Sequence, residues 1–280
     1  PIHDRVRVLA KPFGVVFGAH GTGAYSRATS GRATSLDKFR QVVASETPVA
    51  RADLGVHTSS MVDAESLPPA QVGPAAWLSC EMQHRDDWVI YLTPAHVAEL
   101  EAAAAPLAVE ELAELEPSRF PLPTLGPILA AMREELLRGR GFSLVRGLPV
   151  DRYSPEQYSA IFMGLGAHLG HARSQNAKGH VLGHVCDLGL SSADPAVRIY
   201  QTSERQTFHT DSCDVVGLLC LREAKCGGDS LLVSAMTIFN IMRRKYPELL
   251  ARLLQPMPHD RRGEIPAGEK PYFEIPVFSW

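Results

Sequence analysis

Apolar and polar residues change their rhythm along the chain. Leu125, Ile128, Leu129, Met132 and Leu136 recur at the spacing of one helical face. Gly139 and Gly141 end that helix, and Phe142 to Arg146 then reads as a strand closed by Gly147-Leu148-Pro149. Ser154-Pro155-Glu156-Gln157 is a capping box with Pro in the first turn, which predicts a helix reaching about Leu169. Upstream, Trp88 to Leu92 reads as a short strand. Thr93-Pro94 opens a helix that runs to Ala105, with Thr as N-cap and Pro at the first helical position. Residues 106–124 are acidic and Pro-rich and read as a connector. Beyond residue 195 the pattern turns to β: Val197–Thr202, Val215–Leu221 and Ser230–Ser234 are rich in strand formers. A helical stretch follows from Ala235 to Leu254, interrupted at Pro247, and Pro271 to Ser279 reads as a last strand.

The first 75 residues lack this order. Between His20 and Ser35 the residues are small or polar, with no acid, a composition that resembles an organelle transit peptide. A disordered leader is the alternative. Either way residues 1–75 are expected to pack poorly, because they lack the periodic apolar residues that offset ordering entropy. The organisation expected is therefore a weakly ordered segment over 1–75 and one domain over 76–280. The chain starts at Pro1 and stops on an apolar strand at Trp280, which suggests a fragment.

Composition narrows the function. The chain has 280 residues, 45% hydrophobic and 21% charged, which are ordinary globular values. A net charge of -3 leaves no basic footprint for nucleic acid and no polybasic membrane patch. No apolar run approaches the roughly 20 residues of a membrane span. Cys80, Cys186, Cys213, Cys220 and Cys226 are odd in number, irregular in spacing and contain no CxxC pair, so neither a disulfide framework nor a structural zinc site is indicated. An intracellular location, cytoplasmic or mitochondrial, is expected. A homo-oligomer is left open.

The chemistry concentrates in Thr207-Phe208-His209-Thr210-Asp211, next to strand-like sequence. Residues two apart on a strand project to one face. His209 and Asp211 would then offer an imidazole nitrogen and a carboxylate oxygen together, two members of the 2-His-1-carboxylate facial triad of non-haem Fe(II) oxygenases. The tripeptide alone is weak, and an N-cap Asp beside a surface His is its plain alternative. Its context is stronger. An apolar strand follows, then Cys226-Gly227-Gly228-Asp229-Ser230, then another strand and a helix. This order, the interval from His209 to Ser230, the stretch Gly139 to Leu148 and the helix ending Leu165-Gly-Ala-His-Leu-Gly170 resemble the TauD/TfdA family of Fe(II)/2-oxoglutarate-dependent dioxygenases. The resemblance covers roughly residues 85–280.

The resemblance implies a mixed α and β fold, a double-stranded β-helix (jelly roll, clavaminate synthase-like) with flanking helices, incomplete at the C-terminus. It implies hydroxylation of a small organic molecule by O2, with oxidative decarboxylation of 2-oxoglutarate to succinate. Fe(II) and 2-oxoglutarate are the implied cofactor and co-substrate. His209 and Asp211 match the first two iron ligands. Ser230 matches the Thr that bonds 2-oxoglutarate, and it keeps the hydroxyl donor. Gly227 and Gly228 match the turn before that strand. Gln175, Asn176 and His184 fall where the family places substrate contacts, with a self-satisfied polar loop as the alternative. The family's third ligand is a second His much later in the chain, followed by an Arg for the 2-oxoglutarate carboxylate. After Asp211 the sequence holds only His259, which lies too early and lacks that Arg. The 280-residue chain alone is therefore expected to bind Fe(II) weakly and to turn nothing over. A non-catalytic jelly-roll homologue or fragment serving as a binding or structural module, and a cupin-like metal hydrolase, are the other classes open at this point.

His180 and His184 are four apart, but Gly179 and Gly183 argue against the helix that would pair them on a metal. His168 and His171 lie at a helix end, where imidazolium can interact with carbonyls. Asp214 is either an acceptor for His209 or a solvated turn residue. Cys213 and Cys220 read as packing residues on the apolar strand.

Overall fold

The caps read from sequence form as written. Ser154 Oγ accepts the Gln157 amide at 3.3 Å, and the Ser154 amide donates to Gln157 Oε1 at 2.9 Å. Thr93 Oγ1 accepts the His96 amide at 3.2 Å, while the Thr93 amide reaches His96 Nδ1 at 3.3 Å. Each exchange satisfies two donors that a helix start otherwise leaves bare.

The computed structural model describes residues 67–175, 179–194, 197–211, 213–224, 228, 230–261, 265 and 268–279, with strands at 6–8 and 14–19. In chain order the elements are β1 (Val6–Val8), β2 (Gly14–Ala19), α1 (Ser79–Met82), β3 (Val89–Tyr91), α2 (Pro94–Ala104), α3 (Gly126–Leu137), β4 (Phe142–Arg146) and α4 (Pro155–Ala167). They continue with β5 (Val215–Leu219), β6 (Ser230–Leu232), α5 (Ala235–Lys245), α6 (Pro247–Leu253), β7 (Met257–Asp260) and β8 (Tyr272–Ile275). The largest sheet is four-stranded, ordered β3-β4-β2-β5. β3 runs parallel to β4, and β2 is antiparallel to both β4 and β5, with Val16 opposite Leu144 and Leu218. Two further pairs, β1-β6 and β7-β8, are antiparallel.

β4 lies between two neighbours and is covered on both faces, which explains its nearly continuous apolar sequence. Val145 joins the main cluster of Leu100, Phe120, Leu125, Leu129, Leu136, Ile161 and Leu165 under α2, α3 and α4. Phe142 and Leu144, on the opposite pleat, pack with Trp77, Met82, Trp88 and Leu232. Each of these fully buried large side chains is worth roughly 1.5–3 kcal/mol of transfer free energy. Gly141 turns the chain from α3 into β4 at φ +87°, a region that L side chains rarely enter.

Four expectations need correction. The stretch 106–124 is more than a connector: 3-10 turns at Val109–Glu114 and Pro117–Arg119 set Leu112, Leu115, Phe120 and Leu122 into the main cluster. Val197–Thr202 is not a strand. Its centre is a 3-10 turn at Ile199–Gln201, in which the Gln201 side chain accepts the Arg198 amide at 2.9 Å. Two strands arise within the supposed leader, and β2 sits inside the largest sheet. Residues 67–77 also dock: Leu67 packs with Phe239 and Leu250, Ser234 Oγ donates to the Ala75 carbonyl at 2.5 Å, and the Gln71 amide donates to Asn240 at 2.7 Å. Otherwise the leader, residues 1–5, 9–13 and 20–66, lies outside the described residues. No helix among the described residues is long and apolar enough to cross a membrane.

Candidate metal centre

The irregular segment between the 3-10 turn at 199–201 and β5 carries His209 and Asp211. Neither residue is in a strand, so the period-two argument does not apply to them. They are nonetheless brought together: His209 Nε2 lies 3.9 Å from Asp211 Oδ1. The segment is held by its own polar groups. Thr202 Oγ1 donates to the Ile199 carbonyl at 2.8 Å and accepts the Glu204 amide at 3.1 Å. The Glu204 carboxylate in turn accepts the Ser192 amide at 3.0 Å and its hydroxyl at 2.6 Å. These bonds hold the Glu204 carboxyl below its usual range.

The His209 ring is oriented by backbone. Nδ1 is 2.8 Å from the Thr207 carbonyl, which can only accept, so Nδ1 carries the proton. Nε2 is left with its lone pair, the form of imidazole that binds metals, and a carbonyl partner on the other nitrogen is the usual support of such a ligand. Two ligands at right angles on an ion with bonds of about 2.1 Å stand about 3 Å apart, and two opposite each other about 4.2 Å. The separation of 3.9 Å lies between the two, so the side chains face one another within reach of a cation but wider than neighbouring facial ligands stand. Both side chains reach solvent, at 34% and 53% exposure, which leaves room for further ligands. Among the described residues no group of three His, Cys, Asp or Glu side chains is placed to hold a metal.

The other expected residues are placed as follows. Ser230 opens β6 and is half-buried. β6 pairs with β1, Val8 opposite Ser230, whereas the strand after His209 pairs with β2, so Ser230 is not on a strand beside β5. Gly228, in the turn before β6, has φ +74°. Gly227 lies outside the described residues. Gln175 is exposed, and its side-chain amide donates to the Arg173 carbonyl at 3.0 Å. His184 is exposed on an irregular stretch, and no helix joins it to His180. Asn176 lies outside the described residues. Asp214 is exposed, and the Thr207 carbonyl takes the Nδ1 proton of His209 in its stead. Cys213 is half-buried, and burial together with the Asp211 and Asp214 carboxylates pushes its thiol up. His259 belongs to the β7-β8 pair, stacks on Phe273 with ring centres 5.5 Å apart and meets the Ile275 carbonyl at 3.3 Å. His168 ends α4 and bonds the Phe120 carbonyl at 2.9 Å rather than its own helix.

One residue of the site has no motif. Gln206 Nε2 lies 3.1 Å from His209 Nε2. Only the irregular path of the segment brings a residue three positions upstream against the ring.

The model of the taurine catabolism dioxygenase TauD, TfdA family matches residues 107–280. FR-33289 synthase of Streptomyces rubellomurinus is 31% identical over 219 residues, which cover 77% of this chain and 65% of that protein. A taurine hydroxylase-like protein, SAT17, of Stachybotrys chartarum is 31% identical over 211 residues, covering 72% of this chain and 54% of its own length. The chain thus spans less than two-thirds of these relatives. With the family match extending over more than half of the sequence and including the His209–Asp211 pair, the chain belongs to the TauD/TfdA dioxygenase family.

Proposed function

We propose that this chain is the iron- and 2-oxoglutarate-binding part of a dioxygenase that hydroxylates a small organic molecule. The observation that carries the reading is His209 Nε2 facing Asp211 Oδ1 at 3.9 Å, with the ring proton committed to the Thr207 carbonyl. Bound Fe(II) with 2-oxoglutarate would supply the oxidising chemistry that couples decarboxylation to succinate with hydroxylation of a C–H bond.

The residues supply position and charge. Thr207 keeps the proton on Nδ1, so the Nε2 lone pair, which the Gln206 side chain meets at 3.1 Å, is the one a metal would take. Asp211 brings one negative charge, which offsets half the charge of a divalent ion. The Ser230 hydroxyl donates to a carboxylate of 2-oxoglutarate, and Gln175, Asn176 and His184 contact the substrate. The fold in this reading is a jelly roll with outer helices, supported by the family and by the antiparallel order β4-β2-β5. Sparse, irregular cysteines favour an intracellular compartment.

The test is succinate release by the natural full-length protein, supplied with Fe(II), ascorbate and 2-oxoglutarate against sulfonates, aryloxy acids and quaternary amines. Succinate that depends on both iron and 2-oxoglutarate is expected. A protein that binds the metal yet never consumes 2-oxoglutarate would be a binding module instead.

A further inference from the structure

Two stretches of chain lie side by side just ahead of the His209–Asp211 pair. The Cys186 amide donates to the Tyr200 carbonyl at 3.2 Å, and the Leu188 amide to the Gln201 carbonyl at 2.8 Å. The Ser192 amide and hydroxyl then donate to Glu204, one to each carboxylate oxygen, at 3.0 and 2.6 Å. The rungs ascend together along 186–192 and 200–204. The first two join backbone to backbone, and the last is closed by a side chain. Glu204 is itself seated by Thr202, which is buried and accepts the Glu204 amide at 3.1 Å.

Between Glu204 and His209 the chain forms no helix or strand. Such a segment has no backbone ladder of its own, so its path depends on the groups that tie it at its start. A carboxylate suits that place, because it accepts from two donors at once and its bonds are stronger than those of a neutral acceptor. We infer that Glu204 is a positioning residue for His209 and Asp211, acting through Ser192, an inference that rests on reading that pair as metal ligands. Glu204 locks the stretch 186–192, which follows His184, to the stretch that leads into His209. The substrate-contacting and metal-binding stretches of the proposed function are then one unit. Linkage makes the effect reciprocal: a clamp that favours the metal is tightened by it.

Co(II) is the probe, titrated into the natural full-length protein and into Glu204→Ala, Glu204→Gln, Ser192→Ala, the double variant of Glu204→Ala with Ser192→Ala, and Asp211→Ala. Hydrogen exchange over 186–192 is followed by mass spectrometry in the same samples. Glu204→Ala is expected to bind Co(II) about threefold to tenfold more weakly at an unchanged urea midpoint, a modest loss because Ser192 and Glu204 are exposed. Glu204→Gln keeps one acceptor and should fall between. Ser192→Ala keeps the Glu204 charge and should still weaken binding, which separates the clamp from plain attraction between carboxylate and cation. The double variant should bind no more weakly than Glu204→Ala, since both changes break one contact. Co(II) should slow exchange over 186–192 in the natural protein and not in Glu204→Ala. If Glu204→Ala or Ser192→Ala binds like the natural protein, if the double variant loses the sum of the two, or if the loss is matched by a lower urea midpoint, the role of Glu204 is overturned. The His209–Asp211 reading then stands as long as Asp211→Ala loses binding. Asp211→Ala binding like the natural protein would overturn both.

Discussion

His209 and Asp211 face each other at 3.9 Å across a loop, not along a strand. Their approach depends on the turn of the segment and on the Thr207 carbonyl that pins the ring. Asp211 is half exposed, so its removal should cost function and little stability. Asp211→Ala is expected to abolish divalent-cation binding, and with it iron-dependent succinate release, while the unfolding free energy stays within about 0.5 kcal/mol. Isothermal titration with Co(II) and urea unfolding check the two halves. Full cation affinity in the variant would remove Asp211 from the site.

Gly164 in α4 lies directly under the fully buried ring of Phe120, and an added Cβ would stand 2.3 Å from Phe120 Cζ. No flexible end is present to yield, since the ring is enclosed by the main cluster. Gly164→Ala therefore gains helix propensity but overpacks the core, and the net loss should be about 1–3 kcal/mol. A lowered urea midpoint measures it, and an unchanged or raised midpoint would mean that the 106–124 stretch shifts freely.

Thr237 in α5 is buried, and its Oγ1 donates to the Trp77 carbonyl at 2.7 Å, across 160 residues of sequence. Thr237→Val keeps the shape and leaves that carbonyl without its donor, at a cost of about 1–3 kcal/mol. Limited proteolysis should meanwhile spare the chain from Leu67 onward. Ready cleavage between 67 and 77 in the native protein would contradict the docking.

Asp87 gathers two guanidinium groups. The Arg85 hydrogen bond, at 2.5 Å, is the main cause that holds its carboxyl down to about 2, and buried Arg140 adds to it at 2.9 Å. A carboxyl with a depressed native pKa adds stability that is present above its unfolded value, about 3.9, and is lost as pH falls through about 2. Asp87→Asn should thus flatten the fall of stability between about pH 4 and pH 2. At neutral pH it should cost less than about 1 kcal/mol, because Asp87 is half exposed and Arg140 keeps Glu135. Urea unfolding across that pH range provides the comparison, and parallel curves would show that other carboxyls carry the acid response.

Local signals in the sequence determined the helix starts and the family. The caps at Thr93 and Ser154, the stop at Gly141 and the break at Pro247 act over three or four residues, so they are legible without knowing the fold. The family was likewise legible, because His209, Asp211 and Gly227-Gly228-Asp229-Ser230 carry their meaning in order and interval. The tertiary structure decided what depends on partners distant in the chain. Val197–Thr202 has the composition of a strand but closes on its own side chain as a 3-10 turn. β2 carries no periodic mark of its own, yet β4 and β5 give its backbone partners. Ser230 opens a strand as expected, but that strand pairs with β1 rather than with β5. Gln206 reaches His209 because a loop bends, and no alternation of apolar and polar residues encodes such a bend. Backbone donors must be satisfied by whatever the folded chain brings near them, and that choice is made in three dimensions.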